Sequence, residues 1–169
     1  MSATVPPADP APEILIVGDG PVAAALAPMA ALLGWSPAPA ASLEAVTAGL
    51  ATADAVVVLS HHEGLDAPAI RAALEHGTAY VGAMGSRATQ ARRREWLEAA
   101  GVPGSLLARL HAPIGLDIGA DEPAEIAVAI LAEVIAVRRG AGAVVGSVSA
   151  REGAIHPDLE PGTATCPGG

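Results

Sequence analysis

The chain of 169 residues contains one cysteine and no lysine, and Trp35, Tyr80 and Trp96 are its only aromatic side chains. Each scarcity excludes a class of protein. A lone thiol, Cys166, set in a C-terminal stretch of Pro, Gly and Thr, allows neither a disulfide framework nor a cysteine-rich metal site, and it argues against thiol chemistry. Three aromatics leave almost no stacking platforms for single-stranded nucleic acid. The balance of 9 basic against 18 acidic residues, net −9, opposes a polyanionic partner as well. No run reaches the roughly 18 apolar residues of a membrane span, and no basic segment followed by an apolar signal core opens the chain. A cytoplasmic protein with no nucleic-acid or membrane partner is expected. What is abundant is apolar residues: their 51% share suits a packed globular protein, and the length suits one domain.

Residues 1–12, with Pro6, Pro7, Pro10 and Pro12, carry too few large apolar groups to repay ordering, so a disordered arm is expected there. Residues 139–169 read as a mostly flexible tail, with a short strand near 143–148 on Val144, Val145 and Val148. Between them, 13–138 alternates short apolar runs with helix-like segments. That pattern predicts a Rossmann-like α/β domain, a doubly wound and mostly parallel sheet with helices on both faces. The first strand is Ile14–Val17, followed by a helix from Pro21 to Leu33 that Pro28 should kink or divide and Gly34 should end. Pro37 and Pro39 make the second strand, over 36–41, an edge strand or an irregular segment. A short helix over 43–50 precedes the strand Ala55–Leu59. Asp66 with Pro68 is expected to open the next helix and Gly77 to close it. The strand Ala79–Gly82 follows, then a helix capped by Ser86 and reaching about Ala100, a short strand within 107–112, a loop over 113–119, and a last helix after Pro123.

Gly18-x-Gly20-x-x-Ala23, directly after a strand and at the start of a helix, has the form of a dinucleotide-binding turn: the glycines admit a close backbone approach and Ala23 tight packing. A phosphate would sit on the helix N-terminus. The alternative is a tight turn and nothing more. Against NAD stand Asp19, a carboxylate beside the phosphate position, and the lack of an acidic residue at the end of the second strand, where Glu44 is a poor substitute for a ribose ligand. Gly85-Ser86-Arg87 offers N–H groups, a hydroxyl and a guanidinium for an anion, or a Ser cap beside a solvated Arg. The run Arg92-Arg93-Arg94 is read as solvated surface. Ser60-His61-His62 ends a strand, so one imidazole either faces the cleft as a hydrogen-bond partner or proton carrier, or the pair is a bland strand end. Asp117 either orients a ligand or bonds its own loop. Only His111 with Asp117 adds to the histidine pair as metal ligands, and no metal is expected.

Two stretches carry a specific wording. Tyr80-Val81-Gly82-Ala83-Met84-Gly85-Ser86-Arg87 and His111-Ala112-Pro113-Ile114-Gly115-Leu116-Asp117-Ile118-Gly119 closely resemble the C-terminal Rossmann domain of the XdhC/CoxI family, and the resemblance extends over about 14–136. It implies a cofactor chaperone rather than a catalyst: a protein that binds a molybdopterin-type molybdenum cofactor, holds it during sulfuration by a partner desulfurase, and assists its insertion into a xanthine dehydrogenase-type molybdenum hydroxylase apoenzyme. Under it Gly18, Gly20, Ala23, Ser60, His61, Gly85, Ser86, Arg87 and Asp117 bind the cofactor, and the loop 113–119 covers the pterin. Three positions depart from the family pattern: Pro21 replaces a His, His62 an Asp, and Ala88 a second Arg. The family's N-terminal domain is also missing, so a separate N-terminal XdhC/CoxI subunit is an expected partner, and a homodimer is plausible. Two other readings stand beside this one. The first is a small NAD(P)-dependent oxidoreductase with His61 as proton donor; the second is a ligand-free interaction module that complements the separate subunit.

Overall fold

A computed structural model describes residues 10–141 and 146–150. Most of the arm expected over 1–12, Val144 and Val145 of the expected tail strand, and everything beyond Ala150, Cys166 included, lie outside the described residues. Five strands, β1 (Glu13–Val17), β2 (Ser36–Ala40), β3 (Ala53–Val58), β4 (Tyr80–Ala83) and β5 (Leu110–His111), form one sheet in the order β2-β1-β3-β4-β5. Every pairing is parallel. The helices are α1 (Pro21–Leu32), α2 (Leu43–Gly49), α3 (Glu63–His76), α4 (Arg87–Ala99), α5 (Gly104–Leu107) and α6 (Pro123–Arg138). The expected Rossmann-like α/β fold is therefore the observed one.

Both faces of the sheet are covered, which is why β1 and β3 read as continuous apolar runs rich in Ile and Val. Ile14, Ile16, Ala55 and Val57 point to one side, where they pack with Val22 and Leu26 of α1 and Ile130 and Val134 of α6. Their neighbours Leu15, Val17, Val56 and Val58 point to the other, against Val46 of α2, Ile70 and Leu74 of α3 and Leu97 of α4. The alternation is the period of two of a strand, with each parity buried under its own helix layer. The 3-10 turn Val148–Ala150 follows an isolated antiparallel bridge between Leu116 and Ser147.

The prolines of β2 are compatible with a strand because of where they point. Ser36 N–H bonds to the Pro12 carbonyl at 2.8 Å, so the even-numbered residues face β1 and Pro37 and Pro39 turn their missing donors to the open edge. They also blunt that edge against pairing with another chain. Helix ends follow one scheme. Gly34, Gly77, Gly101 and Gly140 each have positive φ after a helix, and their N–H and that of the next residue return to carbonyls of the last turn.

Four local expectations are corrected. Helix α1 runs unbroken through the exposed Pro28. Asp66 does not open α3: the helix begins at Glu63 with His62 as its N-cap, Asp66 is buried within it, and Pro68 also lies inside the helix. The stretch 107–112 is divided between the end of α5 and a two-residue β5. Arg93, expected in solvent, is 6% exposed.

Candidate functional site

The chain passes from β1 to β2 on one side, and β3 then pairs on the other side of β1, so the connections leaving β1 and β3 diverge and open a crevice at their carboxyl ends. The strand ends are level. Leu59 N–H bonds to Val17 O at 2.8 Å, Met84 N–H to Val58 O at 2.8 Å, and Ile114 N–H to Ala83 O at 3.1 Å, so Gly18, Ser60, Gly85 and Gly115 leave the sheet along one rim.

Gly18 has φ +116°, and a Cβ on it would stand 2.7 Å from the Ser60 amide nitrogen. The close approach that demands a glycine here is to the protein's own β3 turn. Gly20 is the N-cap of α1 with φ −69°, a conformation open to any residue. Pro21 holds the first helical position, no side chain caps the helix, and no acidic residue occupies its first turn. The amides of Val22 and Ala23 precede the first helical bond, from Ala24 N–H to Gly20 O. Ala23 is buried against the sheet and serves packing, while Asp19 is exposed.

The turn after β3 is held by a buried polar group. Ser60 Oγ donates to Asp66 Oδ1, and Asp66 Oδ2 pairs with the Arg93 guanidinium. Arg93 also donates to the carbonyl of Met84 and, at 3.3 Å, to that of Ser60. Beside it Gln90 Nε2 bonds to the carbonyls of Ala83 and Gly85 at 3.0 and 3.3 Å. Gln90 and Arg93 of α4 thus donate to carbonyls at the ends of β3 and β4, and Asp66 of α3 accepts from Ser60 and Arg93. His61 and His62 are exposed just beyond this clamp.

Gly85 has φ +136°, and a Cβ on it would meet Thr89 at 3.1 Å and Arg93 Nη1 at 3.3 Å. The Ser86 hydroxyl accepts the Thr89 N–H at 3.2 Å and lies 3.1 Å from Thr89 Oγ1, so it caps α4 as the sequence indicates. Arg87 opens the helix half-buried, and neither it nor Asp117 is free of partners.

The loop 113–119 crosses β4 at Gly82, where a Cβ would stand 2.5 Å from Ile114. It is held from α6 by Glu133, which is 2% exposed. One carboxylate oxygen accepts the Tyr80 hydroxyl at 2.5 Å and the Gly115 N–H at 2.9 Å. The other accepts the Ser147 hydroxyl and lies 3.4 Å from His111 Nδ1. The His111 ring stacks on Tyr80 with centroids 4.7 Å apart. Burial pushes the Glu133 carboxyl up, but the hydrogen bonds from His111, Ser147, Tyr80 and Gly115 outweigh it and hold the group below its ordinary range. Burial first, and then the Glu133 charge and hydrogen bond, push the Tyr80 phenol well above its ordinary value. Asp117 is exposed on this loop, its N–H bonded to Gly146 O at 3.0 Å.

Of the nine residues singled out from sequence, Ser60 and Gly85 are brought together beside Arg93, and Gly18 lies against Ser60. Gly20, His61, Ser86 and Arg87 flank that cluster, Ala23 is in the core, and Asp117 belongs to the loop held by Glu133 and residues 146–148. Sequence reasoning missed Asp66, Gln90, Arg93, Tyr80 and Glu133. A signal existed for three of them: Gln90 and Arg93 share the helical face of the buried Leu97, and Glu133 interrupts the apolar stripe of α6 beside Ile130 and Val134.

A family model described as the XdhC Rossmann domain matches residues 14–134. Among curated proteins, one from Bacillus subtilis named as a probable xanthine dehydrogenase subunit is 33% identical over 153 residues, covering 78% of this chain and 44% of that protein. The molybdenum cofactor insertion chaperone PaoD of Escherichia coli is 31% identical over 136 residues, covering 76% of this chain and 41% of that protein. An uncharacterised Escherichia coli protein, YqeB, is 31% identical, with 77% of this chain and 28% of that protein covered. The chain thus spans less than half the length of these curated relatives. A crystal structure of a xanthine dehydrogenase from Bacillus halodurans has the same fold, with a TM-score of 0.62 at 23% identity over 78% of this chain and 44% of that one.

Proposed function

Because the chain belongs to the XdhC Rossmann domain family, we propose that it binds a molybdopterin-type molybdenum cofactor at the carboxyl ends of its strands. There it assists the cofactor's sulfuration and its insertion into a xanthine dehydrogenase-type molybdenum hydroxylase. The observation that carries this reading is the 31% identity, over 76% of the chain, to a relative named for inserting the molybdenum cofactor. The residues fit such a ligand. Helix α1 starts with no side-chain cap and no first-turn carboxylate, so the amides of Val22 and Ala23 suit a phosphate or pyrophosphate. Arg87 at the start of α4 supplies a cation on the same rim. Ser60, His61 and Asp117 supply hydrogen-bonding groups for the pterin, and the cofactor itself supplies the molybdenum centre. The partners that follow are an N-terminal XdhC-type subunit, the apoenzyme and the desulfurase. A nicotinamide dinucleotide fits less well, since β2 ends on Ala40 with no carboxylate for a ribose hydroxyl, and Asp19 stands beside the phosphate position.

The test is anaerobic equilibrium titration of the purified chain with freshly released molybdopterin cofactor, NAD(H) and NADP(H). Binding of the pterin at about micromolar Kd, weakened roughly tenfold by Arg87→Ala, is expected. Binding of a nicotinamide alone would replace this reading with that of an oxidoreductase using His61. Binding of neither would favour the interaction module.

A further inference from the structure

The outer face of α6 carries a pattern that the crevice does not use. Glu125, Val128, Ala132, Ile135 and Arg139 succeed one another at alternating spacings of three and four residues along this helix and its C-cap. That is the seam of a helix pair. Val128 and Ile135 are 48% and 37% exposed, Ala132 between them is half-buried, and Glu125 and Arg139 are exposed at the ends. The opposite face of the helix is packed on the sheet and on α1.

The stripe is self-complementary. Glu125 and Arg139 stand seven residues on either side of Ala132. A second copy related by a two-fold axis at Ala132, with its α6 antiparallel, would set each Glu125 against the other copy's Arg139 and each Val128 beside the other copy's Ile135. The small side chain at the axis lets the two helices approach closely. Charge supports this occupant over others: Asp121, Glu122 and Glu125 cluster at one end of α6 and Arg138 and Arg139 at the other, so only the antiparallel pairing of like with like joins opposite charges at both ends.

The neighbouring surface is apolar too. Helix α1 has no polar side chain along its length, and Leu32 and Leu33 at its end are 87% and 54% exposed. Arg138 lies over the Trp35 ring at 5.2 Å, which places the C-terminal ends of α1 and α6 together. A helix apolar all round at a protein surface is a helix whose outer face is covered.

We infer that this face of α6, flanked by α1, is the interface of a two-fold dimer of this chain. Two helices side by side, the longer about 24 Å, present on the order of 500 Å² per copy, at the low end of specific interfaces.

The experiment is sedimentation equilibrium of the full chain from about 1 to 200 µM, across which a rise from monomer to dimer mass is expected. Ile135→Glu should weaken association at least about tenfold, and Arg139→Glu, which faces a carboxylate across the axis, should weaken it as well. Both should leave the circular dichroism spectrum unchanged. A second measurement is independent of those variants: Ala132→Cys in a Cys166→Ser background should cross-link to dimer on mild oxidation much faster than Ala48→Cys, an exposed position on α2. Monomer mass throughout overturns the inference. So does a dimer indifferent to both charge variants, or cross-linking at Ala132→Cys no faster than at Ala48→Cys. None of these outcomes depends on what the crevice binds.

Discussion

Arg93 sits in the middle of Arg92-Arg93-Arg94, and nothing in the run distinguishes it from its neighbours except helical phase. That phase turns it inward beside Gln90 and Leu97, where a buried carboxylate and two strand-end carbonyls receive its donors. Removing it would strand Asp66, 2% exposed, without its counter-charge. Arg93→Ala is therefore expected to cost about 3–5 kcal/mol in urea unfolding. Arg94→Ala, which loses only an exposed 2.9 Å pair with Glu98 on the same helix, should cost at most about 0.5 kcal/mol. Equal losses for the two variants would remove the argument that Arg93 clamps the ends of β3 and β4. From sequence all three arginines are expected in solvent, since they face different sides of the helix and Glu95 and Glu98 partly balance them. A buried Arg needs a buried carboxylate, and Asp66 lies 27 residues away on another helix. At Ser86 the same reading succeeded, because its cap contact is to Thr89 and lies wholly within the local chain.

At the scale of elements, the prolines give the clearest contrast. Pro37 and Pro39 allow an edge strand or an irregular segment, and β2 is the edge strand, since a missing donor can be tolerated only where no strand waits to accept it. Pro28 was expected to kink or divide α1, yet the helix continues through it, held by the burial of Val22, Leu26 and Ala30 against the sheet and α6. Packing there outweighs one missing hydrogen bond. The penalty is still present. Because Pro28 is exposed, Pro28→Ala restores a helical donor at a site with no packing to disturb, and part of the gain is offset by the greater freedom of the unfolded chain. A net stabilisation of roughly 1–2 kcal/mol is expected, read as a raised Tm in calorimetry. An unchanged or lowered Tm would mean that the pyrrolidine ring itself is a packing group. The start of α3 was misplaced for a related reason. Asp66 followed closely by Pro68 has the form of a helix opening, but the carboxylate is engaged by Ser60 and Arg93, and the helix starts a turn earlier.

For the molecule as a whole, Glu133 joins four separate segments of the chain: Tyr80 of β4, His111 of β5, Gly115 of the loop and Ser147 beyond α6 all meet its carboxylate. Its folded pKa is depressed, so its stabilising contribution is present above the ordinary glutamate range and is lost as pH falls through the lower folded value. The stability advantage of wild type over Glu133→Gln is thus expected to be constant near neutrality and to shrink from about pH 4 downward in denaturant titrations. A gap independent of pH would show that the carboxylate's charge is not what holds the loop. Sequence by itself determined the class of fold, the succession of its main strands and helices, the exclusion of β2 from the interior of the sheet and the turns of the crevice rim, because strand runs, helix caps and proline constraints act within a few residues of themselves. Tertiary structure alone decided the burial of Asp66, Arg93 and Glu133, the contact of Gly18 with Ser60, and the anchoring of the loop bearing Asp117. These are pairings between groups far apart in the chain, and a polar side chain's place inside a protein is set by the partner it finds there.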